Sequence, residues 1–238
     1  EICHCLVGSE MCIRDRRHVV IEEGTGTWCG WCPRGAVAME SVTSDASREN
    51  FIGIAVHNGD AMTITAYDNG ANFSGYPGMN VNRKYLGESV STTSMQSFYD
   101  QASAEPTNAN VDVSGTYDQT TGDLTVEVTA TFAAEINTEH RLGAVLLENG
   151  VSGNSYSQSN YYSGGGSGNM TMPNSGSMPG FNFSTAANPV PGSIMFYDHV
   201  ARELYGGYTG QGNSITLPAV ANSSQSYTFN SNVGSYDP

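Results

Sequence analysis

A Cys-x-x-Cys motif between an apolar run and the start of a helical pattern is the feature that most constrains this chain. The motif is WCGWCP at residues 28–33. It follows the β-rich run 17–23 and precedes residues 33–46, whose apolar side chains recur with the period of a helix. Pro33 suits the first helical turn because its missing N–H would have no partner there. A strand that leads through such a motif into a helix is typical of redox-active dithiols.

The position of the motif also predicts its chemistry. The unpaired N–H groups and the dipole at a helix N-terminus stabilise a thiolate. We therefore expect Cys29 to be an exposed, attacking thiolate and Cys32 to resolve the mixed disulfide that forms. Two alternatives remain open: an inert structural disulfide, and a zinc site, which would need a second cysteine pair.

The apolar runs around the motif predict an α/β domain over residues 17–106. Residues 51–57 (FIGIAVH) are continuously apolar, as in a strand that is buried on both faces. The order strand, helix, strand implies a right-handed parallel crossover. A loop or short helix over 58–75 then precedes a predicted strand at 79–84 and a predicted helix at 93–104.

The composition changes near residue 106, and β patterns follow. We predict strands at 109–117, 124–132, 141–148 and 226–229, a long loop at 152–191, and a strand end plus short helix at 193–205. In 124–129, apolar residues alternate with polar ones, which is the period of a half-buried strand. We therefore predict an all-β, sandwich-like domain over residues 107–238, with truncation at its C-terminus left open.

Over residues 17–104 the chain resembles the thioredoxin superfamily. The resemblance implies that Glu23, six positions before the first cysteine, relays a proton to or from the second. It also implies that Pro77 is a cis-proline beside the disulfide that docks the substrate backbone. A solvated Glu23 and an ordinary trans Pro77 remain alternatives.

If the dithiol acts on a substrate, we expect aromatic side chains near it to contact that substrate. Trp28 and Trp31 would frame its approach, and Tyr76 precedes the expected cis-proline. Gly30-Trp31 replaces the Gly-Pro that thioredoxin itself has between its cysteines, so the redox potential is not carried over.

A closer resemblance covers nearly all of the chain after residue 16. The chain resembles the Omp28-related outer-membrane protein family in the segments VVIEEGTGTWCGWCP, HNGDAMTITAYDNGANFSGYPGMNVNR, RLGAVLLENGV, SNYYSGG and YDHVARELYGG. The resemblance implies a surface or periplasmic lipoprotein of Bacteroidota, with a thioredoxin-like domain followed by a β domain. A lipid-anchor cysteine would lie upstream of this sequence.

Residues 1–16 differ from the rest of the chain. Residues 6–16 can be back-translated into a transposase-type adapter used in library preparation, and residues 1–5 fit the adjoining primer and index. We interpret residues 1–16 as a translated adapter, which removes Cys3, Cys5 and Cys12 and leaves one dithiol from the five cysteines. A native cysteine-rich arm is the alternative.

Charge limits the partners that the chain can have. With 23 acidic and 9 basic residues the formal net charge is −14, which disfavours nucleic acid and anionic membrane surfaces. The longest apolar runs are far shorter than the ~20 residues of a transmembrane helix. We expect no cofactor and no metal, and partners that are protein thiols or disulfides or an unknown surface ligand.

Several further residues are candidates with a structural alternative beside each. His57 ends the second predicted strand and is more typical of a satisfied structural histidine. Asp198 and His199 with Arg202 would form a ligand set only with a third partner, so packing or capping is favoured. The tyrosines amid Ser and Gly are typical of an adaptable binding loop or of a structural loop: Tyr156, Tyr161 and Tyr162.

Two function hypotheses follow from the sequence. The first is an envelope thiol–disulfide oxidoreductase-like protein that uses Cys29 and Cys32 on partner proteins. The second is a surface-exposed binding or adhesion lipoprotein that keeps an idle disulfide on a thioredoxin scaffold.

Overall fold

A computed structural model describes residues 17–234 of the chain, so the interpreted adapter segment lies outside the described residues. The described residues form a mostly β protein with two sheets and few helices. They divide into two compact units, and neither unit is contiguous in sequence. The first unit combines Arg17–Glu105 with Val145–Glu203, and the second combines residues 106–144 with residues 204–234.

The strands and helices lie as follows along the chain. The strands are β1 (Val19–Thr25), β2 (Phe51–His57), β3 (Gly78–Val81), β4 (Tyr85–Ser89), β5 (Ala109–Asp118), β6 (Asp123–Phe132), β7 (Ala144–Glu148), β8 (Val200–Tyr205) and β9 (Ser224–Asn232). The helices are α1 (Pro33–Thr43), α2 (Thr65–Ala71) and α3 (Thr92–Ser103), with a 3-10 turn at Ala46–Arg48. The first sheet has the order β4-β3-β1-β2-β8-β7 and the second has the order β5-β6-β9.

The core of the first sheet forms on the face that carries α1 and α3. β1 and β2 run parallel, with Val19 opposite Phe51 and Thr25 opposite His57. Because side chains alternate across a strand, Val19 and Ile21 point to the same face as Glu23. Val19 and Ile21 pack there with apolar residues of both helices and of β3. The predicted parallel crossover is therefore present, and it places the N-terminus of α1 at the end of β1.

The opposite face of β1 buries a charged residue with partners. The Glu22 carboxylate accepts hydrogen bonds from the Tyr67 hydroxyl of α2 at 2.7 Å and from the Arg83 Nε at 2.8 Å. A buried carboxylate needs such partners, because burial without them would cost several kcal/mol. Glu22 is therefore part of the scaffold, whereas its neighbour Glu23 faces α1.

Residues 145–203 belong to the first unit, which differs from the contiguous division expected at residue 106. The Ala55 N–H of β2 donates to the His199 carbonyl just before β8, at 2.8 Å. Val37 of α1 lies in one apolar cluster with Val190 and Val200. Residues 152–191 contain no helix or strand, as expected, yet many of their side chains are buried because this cluster collects them.

The structure corrects two other expectations. Residues 193–205 contain β8 and no helix, since Val200 aligns with Ala55 in the first sheet. The second unit contains the single three-stranded sheet β5-β6-β9 within the described residues and not two facing sheets, because β7 and β8 join the first sheet. β4 was not predicted: its side chains are exposed or half-buried, so it lacks an apolar run.

We expect Phe183→Ala to destabilise the first unit by about 3–5 kcal/mol, the usual cost of emptying a fully buried aromatic site. Phe183 is fully buried in the cluster that joins residues 145–203 to α1. Phe196→Ala is the matched control, because Phe196 is exposed. Urea unfolding followed by tryptophan fluorescence measures the effect, since both tryptophans lie in this unit. Equal losses in the two variants would contradict this packing.

Candidate functional site

Residues 26–32 join β1 to α1 and carry the Cys-x-x-Cys motif, and we call them the redox loop after the chemistry that the sequence predicts. Cys29 and Cys32 form a disulfide with a Cα–Cα distance of 5.3 Å. The Cys29 N–H donates to the Gly26 carbonyl at 3.0 Å, and the Gly35 N–H donates to the Cys32 carbonyl at 2.8 Å. Cys32 is the N-cap residue of α1 and Pro33 follows it. The disulfide therefore lies at a helix N-terminus, where the backbone favours a thiolate.

The expectation that Cys29 is exposed is wrong. Cys29 is 4% exposed and Cys32 is 2% exposed. The two tryptophans beside them are instead the accessible part of the loop, since Trp28 is 49% exposed and Trp31 is 43% exposed. The accessible side chains of this loop are therefore aromatic, whereas the disulfide is buried.

Glu23 is buried beneath the first turn of α1, and this excludes a solvated carboxylate. It is 2% exposed, and its Oε1 atom has no hydrogen-bond partner. A Cβ atom on Gly35 would lie 2.1 Å from that oxygen, so the approach requires glycine in the helix. Burial raises the pKa of Glu23 well above its ordinary value, against smaller lowering effects of a hydrogen bond with Thr25 and the charge of Arg34.

His57 lies on the same face of the sheet as Glu23. Glu23 aligns with Ala55 and Thr25 aligns with His57, so the two side chains are diagonal neighbours on adjacent strands. The His57 Nδ1 atom is 2.8 Å from the Asp60 Oδ2 atom, and the buried Nε2 atom has no partner. Glu23 and His57 both line a cavity with four methionines: Met39, Met172, Met178 and Met195.

Asp60 connects the end of β2 to the redox loop. It accepts hydrogen bonds from the Thr27 N–H and the Met62 N–H, both at 2.9 Å. Burial by itself raises the pKa of Asp60. The hydrogen bond and charge of His57, together with these two N–H groups, outweigh the effect of burial, so the pKa of Asp60 is lowered. Asp60 thus holds the loop in place as an ionised acceptor. Among residues 17–234, no group of three or more His, Cys, Asp and Glu side chains is arranged to hold a metal ion.

The predicted substrate-contact residues on one side of Cys29 do meet. The Tyr76–Pro77 bond is cis. The Tyr76 ring meets the Trp28 ring edge-on, with centroids 5.6 Å apart. The Trp28 Nε1–H donates to the Asn58 carbonyl at 2.7 Å, and the Tyr76 hydroxyl donates to the Asp68 Oδ1 at 2.6 Å. These bonds hold both rings in fixed positions beside the redox loop.

Residues 158–162 cover the other side of the redox loop, and we call them the cover segment. The Ser159 N–H donates to the Thr27 carbonyl at 2.8 Å, and the Tyr161 N–H donates to the Gly30 carbonyl at 2.9 Å. The Gln158 Nε2 atom donates to the Cys29 carbonyl at 2.9 Å. The cover segment therefore binds the backbone of the loop that carries the disulfide.

Aromatic contacts reinforce this cover. The Trp31 ring meets the rings of Tyr161 and Tyr162 edge-on, each with centroids 5.4 Å apart. A Cβ atom on Gly30 would lie 2.4 Å from the Tyr161 ring, so the tyrosine lies directly on the loop backbone. Tyr162 is buried, whereas Tyr161 is 54% exposed.

Sequence reasoning missed three buried polar residues of the site. Gln158 and Asn160 are buried in a polar run between tyrosines, and Asp60, whose side chain is 5% exposed, lies in a turn. The Asn160 Nδ2 atom donates to the Phe183 carbonyl at 2.8 Å, which fixes the cover segment from behind. Their roles depend on backbone groups far away in sequence, so no local pattern could indicate them.

The remaining candidates do not meet as a ligand set. Asp198 accepts from the N–H groups of Gly150 and Ser177, each at 2.8 Å, which is a structural capping role. Arg202 pairs with Glu148 at 3.0 Å.

Two more candidates likewise make structural contacts. The His199 Nε2 atom is 3.7 Å from the Glu40 Oε2 atom. The Tyr156 carbonyl accepts from the Tyr197 hydroxyl at 2.8 Å. Of the three candidate tyrosines, only Tyr161 and Tyr162 contact Trp31.

Comparison with known proteins relates the chain to outer membrane proteins. A model of the family described as outer membrane protein Omp28 matches residues 64–236, a range that begins after the Cys29–Cys32 loop. The solved structure of HBP35 of Porphyromonas gingivalis is similar, with a TM-score of 0.52 and 15% sequence identity. The similarity covers 93% of this chain and 66% of HBP35, and at this identity it concerns the fold alone. No curated protein matches the chain.

We expect the stability of the first unit to fall with rising pH because of Glu23. Its pKa is raised in the folded protein, so the stabilisation is complete below the ordinary value of 4.5 and is lost as pH rises through the folded pKa. The slope is at most about 1.4 kcal/mol per pH unit for one proton. Glu23→Gln should remove this part of the pH dependence, measured as the difference between the urea-unfolding curves of the two proteins. An unchanged slope in Glu23→Gln would contradict a buried, protonated Glu23.

We expect Gly30→Ala to destabilise the protein through Tyr161. The added methyl group overlaps the Tyr161 ring, and overpacking typically costs about 1–3 kcal/mol. In a Tyr161→Ala background the ring is gone, so the same substitution should cost much less. A double-mutant cycle on the free energy of unfolding measures the coupling. Additive losses would show that the cover segment does not lie on Gly30.

Proposed function

Because the chain belongs to the Omp28 outer membrane protein family, we propose that its Cys29–Cys32 pair exchanges disulfides with thiol-bearing partners in the bacterial cell envelope. Family membership makes this an envelope protein. Within residues 17–234, every helix is too short or too polar to span a bilayer. The reaction is the proposed part, and one observation carries it: a disulfide at the N-terminus of α1, with a buried carboxyl group against the first turn of the same helix.

The arrangement of strands supports a thioredoxin-like core in the first unit. β1 is central, with β2 parallel on one side and β3 antiparallel on the other, and β4 lies at the edge. α1 leads from β1 to β2, and α3 follows β4 on the same face as α1. We propose that this core supplies the dithiol chemistry and that residues 145–203 adapt it.

The proposed exchange uses each group in turn. A partner thiolate attacks the Cys29 sulfur, a mixed disulfide forms, and Cys32 leaves as a thiolate. Burial raises the pKa of Glu23 and so favours its protonated form, and we propose that it donates a proton to Cys32. A second partner thiolate attacks the sulfur that joins the first partner to Cys29. The products are an oxidised partner and the reduced dithiol, and the reverse sequence reduces a disulfide partner.

The aromatic residues would direct the partner to Cys29. Trp28 and Tyr76 are held by hydrogen bonds, so they present a fixed surface at little entropic cost. Trp31 presents a second exposed ring. We propose that the cis Pro77 next to Tyr76 contacts the partner backbone.

A specific observation favours a second function, that of a surface-binding protein with a structural disulfide. Cys29 is buried, and the cover segment binds the loop around it. A shielded disulfide of this kind resists reduction. The exposed rings of Trp28, Trp31 and Tyr161 would then form the binding surface.

A redox titration and an exchange assay with the purified protein distinguish the two functions. For an active dithiol we expect a reduction potential above about −300 mV, the value below which structural disulfides typically lie. Insulin reduction should be lost in Cys29→Ser, and Cys32→Ser should accumulate a mixed disulfide. A lower potential together with no turnover that depends on Cys29 would favour the binding protein.

A further inference from the structure

The cover segment uses the carbonyl groups that a polypeptide would need in order to lie along the redox loop. The N–H groups of Ser159 and Tyr161, two positions apart, donate to the Thr27 and Gly30 carbonyls. In an extended segment, N–H groups two positions apart point to the same side, and they pair with the backbone of a neighbouring segment when a strand is added to its edge. The backbone acceptors on this side of Cys29 are therefore already occupied from within the chain.

The cover segment is also anchored on its far side. Gln158 and Val190 exchange two backbone hydrogen bonds, at 3.0 and 2.8 Å. The Asn160 N–H donates to the Asn188 Oδ1 atom at 2.9 Å. Tyr162 belongs to the same apolar cluster as Val190. Displacing the cover segment would break these bonds and expose this cluster. The cover segment therefore stays in place beside the redox loop.

We propose that the cover segment makes the dithiol selective for small thiols over cysteines within polypeptide chains. A small thiol presents its sulfur without flanking backbone, so it can approach Cys29 past the exposed rings. A cysteine in a polypeptide carries chain on both sides. On the Tyr76 side that chain can contact Pro77, but on the side of the cover segment it meets Tyr161 above Gly30. The inference rests on the proposed exchange function and specifies its substrate class. Gln158 and Tyr161 are positioning residues in this scheme.

The reaction is balanced for a small thiol. Two thiols each lose a proton and together lose two electrons, and they form one small disulfide. The Cys29–Cys32 disulfide accepts the two electrons and two protons and becomes the dithiol. The first sulfur bonds to Cys29 while Cys32 leaves, and the second thiolate then displaces Cys29.

The test compares two reductants whose local chemistry is the same. One is cysteine blocked as its N-acetyl methylamide, and the other is a longer unstructured peptide with a single central cysteine. Each reduces the oxidised full chain in excess, and alkylation followed by mass spectrometry measures the rate. Each rate is divided by that of the same thiol on oxidised glutathione, which removes differences in intrinsic reactivity.

After this correction, we expect the blocked cysteine to react about tenfold faster than the peptide. A rate ratio of this size corresponds to the free energy of about one hydrogen bond. Tyr161→Ala should bring the ratio towards one, and Tyr161→Phe should keep it, because the ring remains. Gln158→Ala is a second variant, since it removes the bond between the cover segment and the Cys29 carbonyl, which keeps its hydrogen bond from the Cys32 N–H, and leaves the aromatic rings in place. Thermal unfolding of each variant is measured alongside.

The outcomes separate the two proposals. A ratio near one in the unaltered protein, or a ratio unchanged in both Tyr161→Ala and Gln158→Ala, overturns the selectivity and leaves the exchange function standing. No reduction of the folded protein by either thiol overturns the exchange function itself. A ratio that falls in Tyr161→Ala but not in Tyr161→Phe supports the cover segment as the selective element.

Discussion

The packing of residues 145–203 against α1 and β2 is the interaction on which the redox loop depends. β8 continues the sheet beyond β2, and Val37 of α1 shares an apolar cluster with Val190 and Val200. This packing buries His57, closes the methionine-lined cavity and holds the cover segment on Gly30. Without it, residues 17–105 would present an open strand edge and an uncovered disulfide loop.

Burial acts on the site in two opposite ways. It limits access to Cys29, and it raises the pKa of Glu23, which in the proposed exchange favours proton donation to Cys32. Gly35 makes the second effect possible, because any side chain there would collide with the Glu23 carboxyl group. The proposed selectivity and the proposed proton transfer thus depend on one closely packed region.

Local patterns predicted the secondary structure around the cysteines, but they did not predict burial that depends on long-range contacts. The apolar run 51–57, Pro33 and the Cys-x-x-Cys spacing sufficed to predict β2, α1 and the position of the disulfide. The burial of Cys29 could not be predicted, because it depends on Gln158, which is 129 positions away. The polar character of residues 152–191 predicted a loop correctly, but composition does not show that a polar loop is buried through hydrogen bonds to distant backbone.

The discontinuity of the first unit has a consequence for how the protein is made. A polypeptide emerges from the ribosome, or from a translocation channel, with its N-terminal part first. β1, α1 and β2 can therefore assemble with Cys29 and Cys32 in place while residues 158–162 have not yet emerged. During that interval the two thiols are open to cellular oxidants of any size. The cysteine pair can thus be oxidised as a nascent segment and be enclosed only when the last part of its own unit arrives.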